Sequence, residues 1–159
     1  MIPQTTSASV SSTPELADRL RMAVTRLSRR LRREAGVDVS PTQYSALAIV
    51  EKWGPLTIGE LAEAERLRPP TITKAVSLLE EQGLVVRRPD PKDGRIVRVE
   101  VTRAGRRLVA RSRALRSAFL AQRLAELDPD ERELMERMAT ILERWLDAPA
   151  ARVTKESSR

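Results

Sequence analysis

Residues 57–95 read TIGELAEAERLRPPTITKAVSLLEEQGLVVRRPDPKDGR. Thr57 and Glu60 have the Ser/Thr-x-x-Glu spacing that caps a helix, with Ile58, Leu61 and Ala62 as its buried face. Glu65 to Arg68 makes a turn. From Pro69 onward Ile72, Val76 and Leu79 recur at i, i+4, i+7, flanked by Ala75 and Leu78, which predicts a second helix with one apolar stripe. Gly83 suits the position just past a helix end, and Leu84-Val85-Val86 reads as a short strand. Val97, Val99 and Val101 alternate with Arg98 and Glu100, the period of a half-buried returning strand. Between the strands, Arg87 to Arg95 is a basic loop punctuated by prolines, and its Asp93-Gly94 pair favours a tight reversal.

A helix pair followed by a basic hairpin is the winged form of the helix-turn-helix, so the expected fold class is mainly α with a small β-wing. In that arrangement the second helix enters the major groove of DNA and the hairpin reaches the flanking backbone or minor groove. Pro70, Thr73, Lys74 and Ser77 project away from the apolar stripe; with Arg68 and Thr71 they are the candidate contacts of this helix. These side chains are slender and carry hydroxyl or cationic groups that fit a groove, although a polar helix face can also be merely solvated.

Composition bears on the partner. The chain of 159 residues is long enough for one domain with a core, and its net charge of +7 favours an acidic partner. The charge is segregated: residues 1–125 carry +10, whereas residues 126–147 carry −5. With neither cysteine nor histidine, the chain has no disulfide, zinc-thiolate site or thiol switch, and lacks the commonest general base. No metal site and no cofactor are expected. No apolar run approaches the roughly 20 residues that span a bilayer, and the N-terminus lacks a signal pattern, so no membrane partner and a cytoplasmic location are expected.

Outward from the central stretch, residues 1–13 are rich in Ser and Thr and read as a disordered tail, and residues 148–159 as a flexible one. Leu16, Leu20, Val24, Leu27 and Leu31 mark an amphipathic helix over about 14–35, whose arginines form either a solvated face or an approach to phosphates or to an acidic partner helix. Ser40-Pro41-x-Gln43 opens the next helix, which runs to about Lys52 and buries Tyr44, Leu47, Ala48 and Val50 or Ile49. Leu56 links it to the helix capped by Thr57. Beyond the hairpin, Thr102 caps a long helix with Leu108, Leu115, Phe119 and Leu124 as apolar positions, ending near Leu127. Asp128-Pro129-x-Glu131 caps a last helix on which Leu134, Met138, Ile141 and Trp145 repeat by four, three and four.

The run GLVVRRPDPKDGRIVRVEVTRAG, residues 83–105, resembles the signature of MarR-type transcription regulators, with Asp93-x-Arg95 in the wing and Thr102-x-x-Gly105 opening the next helix. The likeness extends from about Leu16 to about Leu146. One departure is Pro69-Pro70 at the start of the second helix, where the family more often has Ser or Thr. The resemblance implies a single domain over 14–147: a winged helix-turn-helix over about 40–101, with dimerisation helices over about 14–35 and 102–147. Leu16, Leu20, Leu134, Met138, Ile141 and Trp145 are then the candidate homodimer contacts, against the alternative that these stripes pack internally. A two-fold protein also accounts for how one short helix per subunit reads enough sequence, on a palindromic operator in double-stranded DNA.

Within the wing, Arg95 is the candidate for minor-groove insertion, its guanidinium paired with Asp93, because arginine is permanently charged and weakly hydrated. Arg87, Arg88, Lys92 and Arg98 are assigned to phosphates, which set register without reading bases. The resemblance also implies a small, often aromatic or phenolic effector between the dimer helices and the winged domain; Tyr44 and Trp53 are candidates to line its site, or are simply core. Catalysis is not expected: Glu80-Glu81 point in different directions, Asp90 and Asp93 sit on a loop with nothing to desolvate them, and no phosphate-cradling loop or nucleophile elbow is present. The expected function is a sequence-specific transcriptional regulator, a repressor released by its effector. The alternatives are a nonspecific DNA-packaging protein or a protein-interaction module on the same fold.

Overall fold

Several helix starts in this protein fall where a side chain can satisfy the first free N–H groups. A computed structural model describes residues 12–147. Of the expected tails, 1–13 and 148–159, residues 1–11 and 148–159 lie outside the described residues. Ser12 precedes α1 (Thr13–Glu34) and its N–H donates to Glu15 Oε2 at 3.0 Å, so Thr13 is helical and not part of a tail. In α2 (Pro41–Trp53) the Ser40 Oγ accepts from the Gln43 N–H at 3.2 Å, and Gln43 Oε1 accepts from the Ser40 N–H at 2.7 Å. Thr57 and Glu60 make the same reciprocal pair for α3 (Ile58–Glu65), at 3.2 and 2.7 Å.

The sequence makes Leu56 a linker, but Leu56–Thr57 form a strand, β1. It pairs antiparallel with β3 (Val97–Val101), and β3 pairs on its other side with β2 (Val85–Pro89), giving the order β1-β3-β2. Leu56 faces Val99, Thr57 faces Arg98, and Val85 faces Val101. Two residues cannot show a period of two, so β1 exists only because β3 offers it an edge. β2 starts one residue later and ends three residues later than the apolar run predicts, which shortens the wing loop to residues 90–96. Pro89 is tolerated because β2 is an edge strand.

The core joins α2, α3, the sheet and α4 (Pro69–Glu81). Leu47, Leu61, Ile72, Val76, Leu79 and Val99 are fully buried, each burial contributing roughly 1.5–3 kcal/mol. On α2 the inward face is Gln43, Ala46, Leu47 and Val50, so Tyr44 is only half-buried, a correction of one helical position. In α5 (Arg103–Ala125) the buried residues are Gly105, Val109 and Ser112, not the larger apolar ones. Gly105 and Ser112 carry no hydrophobic signal, which is why the spacing i, i+4, i+7 goes unread.

Close contacts group the chain into two units, one ending at Phe119 and one beginning at Leu120, where the sequence expects one domain over 14–147. The second contains the end of α5 and α6 (Pro129–Asp147), capped by Asp128, whose Oδ1 accepts from the Glu131 N–H at 2.8 Å. No helix among the described residues is long and apolar enough to cross a membrane.

Gly105 is fixed by space. A Cβ there would meet the Leu84 carbonyl oxygen at 2.2 Å, Val101 Cγ2 at 2.8 Å and Leu47 Cδ1 at 3.2 Å, whereas one on Gly94 would meet nothing within 4 Å. Gly105→Ala is expected to lower unfolding stability by about 1–3 kcal/mol in a urea titration, with Gly94→Ala close to wild type. Equal midpoints for the two variants would contradict this packing.

Candidate nucleic-acid interface

The turn between α3 and α4 is closed by Arg66 in the left-handed conformation (φ 53°), the one non-glycine residue with positive φ among the described residues. Its N–H and that of Leu67 donate to the Glu63 and Ala62 carbonyls, each at 3.0 Å. Two prolines then open α4 without loss, because the first N–H groups of a helix have no intrahelical acceptor. Ile72, Ala75, Val76 and Leu79 point into the core.

Arg68, Pro70, Thr71, Thr73 and Lys74 are all exposed on α4 or at its start. Thr71 and Lys74 share a shallow hollow with Ser40 and Thr42 at the start of α2, so the two helix starts present one surface. Two details differ from a simple row of free donors. The Thr73 hydroxyl donates to the Pro69 carbonyl at 2.9 Å, leaving its lone pairs outward-facing roles only as acceptors. Ser77 is half-buried, and its Oγ accepts from Arg87 Nη2 at 3.0 Å.

Arg87 is committed further. Its Nη1 pairs closely with Glu80 Oε2, and its backbone N–H donates to Glu80 Oε1 at 3.1 Å, so this arginine fastens the hairpin to α4. Arg88 is more open, with Nε 3.4 Å from Glu100 Oε2 across the strand pair. The guanidinium of Arg98 is half-buried and donates to three acceptors from separate segments: Asp90 Oδ2 in a close pair, Glu60 Oε2 at 3.3 Å, and the Pro55 carbonyl at 3.3 Å.

At the tip, Asp90 organises the loop. It is 9% exposed, which corrects the expectation that nothing desolvates it. Its Oδ1 accepts from the N–H groups of Lys92 (2.7 Å) and Asp93 (3.2 Å), and its own N–H donates to the Ile96 carbonyl at 2.7 Å. The hydrogen bond from Arg98, then that from the Lys92 N–H, hold the Asp90 carboxyl below its ordinary value of 3.8. Glu60 is likewise held below 4.5, first by hydrogen bonds from Thr57 and then by the charge of Arg98. Anchored carboxylates kept ionised are braces, not proton donors.

Asp93 plays a different part from the expected one. Its Oδ1 accepts from the Arg95 backbone N–H at 3.0 Å, and its carbonyl accepts from the Ile96 N–H at 2.9 Å. It therefore fixes the backbone beneath Arg95, and no pair between its carboxylate and the Arg95 guanidinium is present among the described residues. Arg95 and Lys92 are exposed and have no ion pair among the described residues. What sequence reading missed is thus the pairing of Asp90 and Glu60 with Arg98 and of Glu80 with Arg87, since it read Glu60 only as a helix cap and weighed Glu80 and Asp90 only as catalytic groups. Asp90-Pro91-Lys92 did carry the signal of an Asx turn, a carboxylate two residues before a free N–H.

The aromatic candidates Tyr44 and Trp53 are not brought together. They stand nine residues apart on α2, roughly 13 Å along its axis. Trp53 is 58% exposed with Lys52 Nζ 4.6 Å from its ring centre. Tyr44 lines a cavity of about 360 Å³ with Arg32, Val37, Val39 and Arg116. The Arg116 guanidinium lies 4.1 Å from the Tyr44 ring centre, and its Nε is buried without a hydrogen-bond partner among the described residues.

The family model for the MarR family matches residues 39–97, which cover the reading helices and most of the wing. An HTH-type transcriptional regulator of Mycobacterium tuberculosis is 42% identical over 134 residues, spanning 84% of this chain and 94% of that protein. The repressor MdtR of Bacillus subtilis is 31% identical over 93 residues, 58% of this chain and 60% of that one. Among solved structures, a MarR family protein from Bacillus stearothermophilus superimposes with a TM-score of 0.72 at 29% identity, covering 84% of this chain and 94% of that chain. A buried helix-turn-helix core, a hairpin braced to it and these likenesses lead to one assignment: the chain belongs to the MarR family of winged helix-turn-helix transcriptional regulators, DNA-binding proteins and not enzymes.

Proposed function

We propose that this protein is a cytoplasmic, sequence-specific repressor that binds a palindromic operator as a homodimer and is released by a small aromatic effector. The observation that carries the reading is Arg95: an exposed arginine with no ion pair among the described residues, on a turn whose backbone is held by Asp90 and Asp93. Such a cation suits a narrow, negatively charged minor groove. Thr71, Thr73 and Lys74 would meet the neighbouring major groove, with Arg68, Arg88 and Lys92 on phosphates. Repression follows from occupying a promoter, and MdtR supports that sense of regulation.

Selection from a random-sequence duplex pool is expected to yield a palindrome that outcompetes scrambled duplex after the salt-dependent contribution is subtracted. A packaging protein would retain almost no preference. Arg95→Ala should weaken binding to the selected duplex about 10- to 100-fold without changing the melting temperature or the oligomeric state. Wild-type affinity in that variant would remove the wing from the interface.

The dimer rests on two uncovered apolar stripes. Leu16 on α1 and Leu134, Met138, Ile141 and Trp145 on α6 are exposed, with Leu20 half-buried. A second copy covering them removes a large hydrophobic surface from water. Ile141→Asp would place an unpaired charge in that interface and should weaken self-association at least about a hundredfold by sedimentation. An unchanged dimer would exclude α6.

For the effector, the cavity at Tyr44 supplies an aromatic wall and two arginines, so a ring bearing an acidic group fits its chemistry. A panel of simple phenols and aromatic carboxylates, screened by release of the selected duplex, identifies it. Arg116→Gln should raise the concentration needed for release about tenfold while duplex affinity stays unchanged. Release at the wild-type concentration would place the effector elsewhere.

A further inference from the structure

Arg98 has the composition of a phosphate contact and the geometry of something else. Its Nε and Nη1 donate to three acceptors that belong to three parts of the reading head: Asp90 in the wing loop, Glu60 in the first turn of α3, and the Pro55 carbonyl just before β1. Two of these acceptors are themselves fasteners. Asp90 fixes the wing loop through the Lys92 and Asp93 amides, and Glu60 closes the helix cap with Thr57. One planar guanidinium therefore joins the element that shapes the wing tip to the element that starts the helix-turn-helix. The strand register places it there: Arg98 sits opposite Thr57 in the β1–β3 pair and opposite Arg88 in the β2–β3 pair, at the centre of the sheet.

We propose that Arg98 is a positioning residue for DNA reading: it sets the wing against α3 so that Arg95 reaches the flanking groove in register with α4, and it does not touch phosphate. The proposal rests on the reading of Arg95 as a DNA contact. Physically, a two-stranded wing attached only through its strands can bend about its root, and bending at the root moves the tip most. A guanidinium is the one side chain with enough donors in a fixed plane to hold three acceptors at once. Its partners favour its charge: the hydrogen bond to Asp90, then the charges of Asp90 and Glu60, raise the Arg98 guanidinium above its ordinary value, and both carboxyls are held below theirs.

A salt-dependent double-mutant cycle separates positioning from phosphate contact. The probe is the duplex selected by the wild-type protein, and the proteins are wild type, Arg98→Gln, Arg98→Lys, Arg95→Ala and the Arg95→Ala/Arg98→Gln double variant. Positioning predicts that Arg98→Gln weakens binding about tenfold on its own but less than about twofold when Arg95 is already alanine, because there is no longer a contact to align. It further predicts that the slope of log affinity against log salt stays as in wild type, and that Arg98→Lys resembles Arg98→Gln, since one ammonium cannot span the three acceptors.

A phosphate contact predicts the opposite on each count. The two effects would multiply, the slope would fall by about 0.9, and lysine would restore affinity. Any of these overturns the proposal. Should Arg98→Gln lower the melting temperature, Asp90→Asn provides the same cycle from the other side of the pair, and multiplicative losses there overturn it equally. The underlying reading fails separately: if Arg95→Ala alone leaves affinity unchanged, the wing does not read DNA and the proposal falls with it.

Discussion

At the root of the hairpin the start of α5 presses against the backbone where α4 has just ended, with Gly105 close enough to Leu84 that no side chain fits between them. The Thr102 hydroxyl sits in the same junction: it lies 2.7 Å from the Gly83 carbonyl and 3.1 Å from that of Leu84, and accepts from the Gly105 N–H at 3.1 Å. The Thr102 N–H adds a bond to the Leu84 carbonyl at 3.0 Å. One small knot thus fixes the exit of the recognition helix, both strands of the wing and the entry of α5. Gly83, at φ 68°, supplies the left-handed step that lets the chain reverse there.

From that junction the wing extends as a lever, and its stiffness comes from charged groups arranged along it. Near the root, Glu80 on α4 takes both the backbone and the guanidinium of Arg87; further out, Asp90 and Glu60 take Arg98. Each pair is only partly exposed, so solvent screens it less than an open surface pair. The basic residues left over, Lys92 and Arg95 at the tip and Lys74 on the outward side of α4, have no ion pair among the described residues, and this division separates what holds the head together from what it offers to a ligand. Basic residues of identical type serve opposite purposes depending on whether a carboxylate lies within reach.

The same division explains where reading residues from sequence succeeded. Helix positions follow from local rules: the capping pairs at Ser40, Thr57 and Asp128 act within three residues, and the stripe of Ile72, Val76 and Leu79 repeats within a turn. The returning strand was legible because Val97, Val99 and Val101 alternate without interruption. Strand β1 was not, because two residues hold no period, and the inward face of α5 was hidden behind Gly105 and Ser112, whose role is to be small. Tyr44 and Trp53 share a helix, yet Tyr44 lines a cavity and Trp53 stands largely exposed, since the faces of α2 are allotted by neighbours distant in the chain.

Sequence by itself determined the order of elements, the presence of the wing, the family and the basic character of the reading head, because caps, periodicity and charge are properties of residues a few positions apart. Only the tertiary structure decided which arginines are available. Arg98 and Glu60 are 38 residues apart, and Arg87 and Ser77 are 10 apart, and no local pattern announces that they touch. A guanidinium looks the same in a sequence whether it faces a carboxylate or open water, and the energy that distinguishes the two arises only once the chain has folded around it.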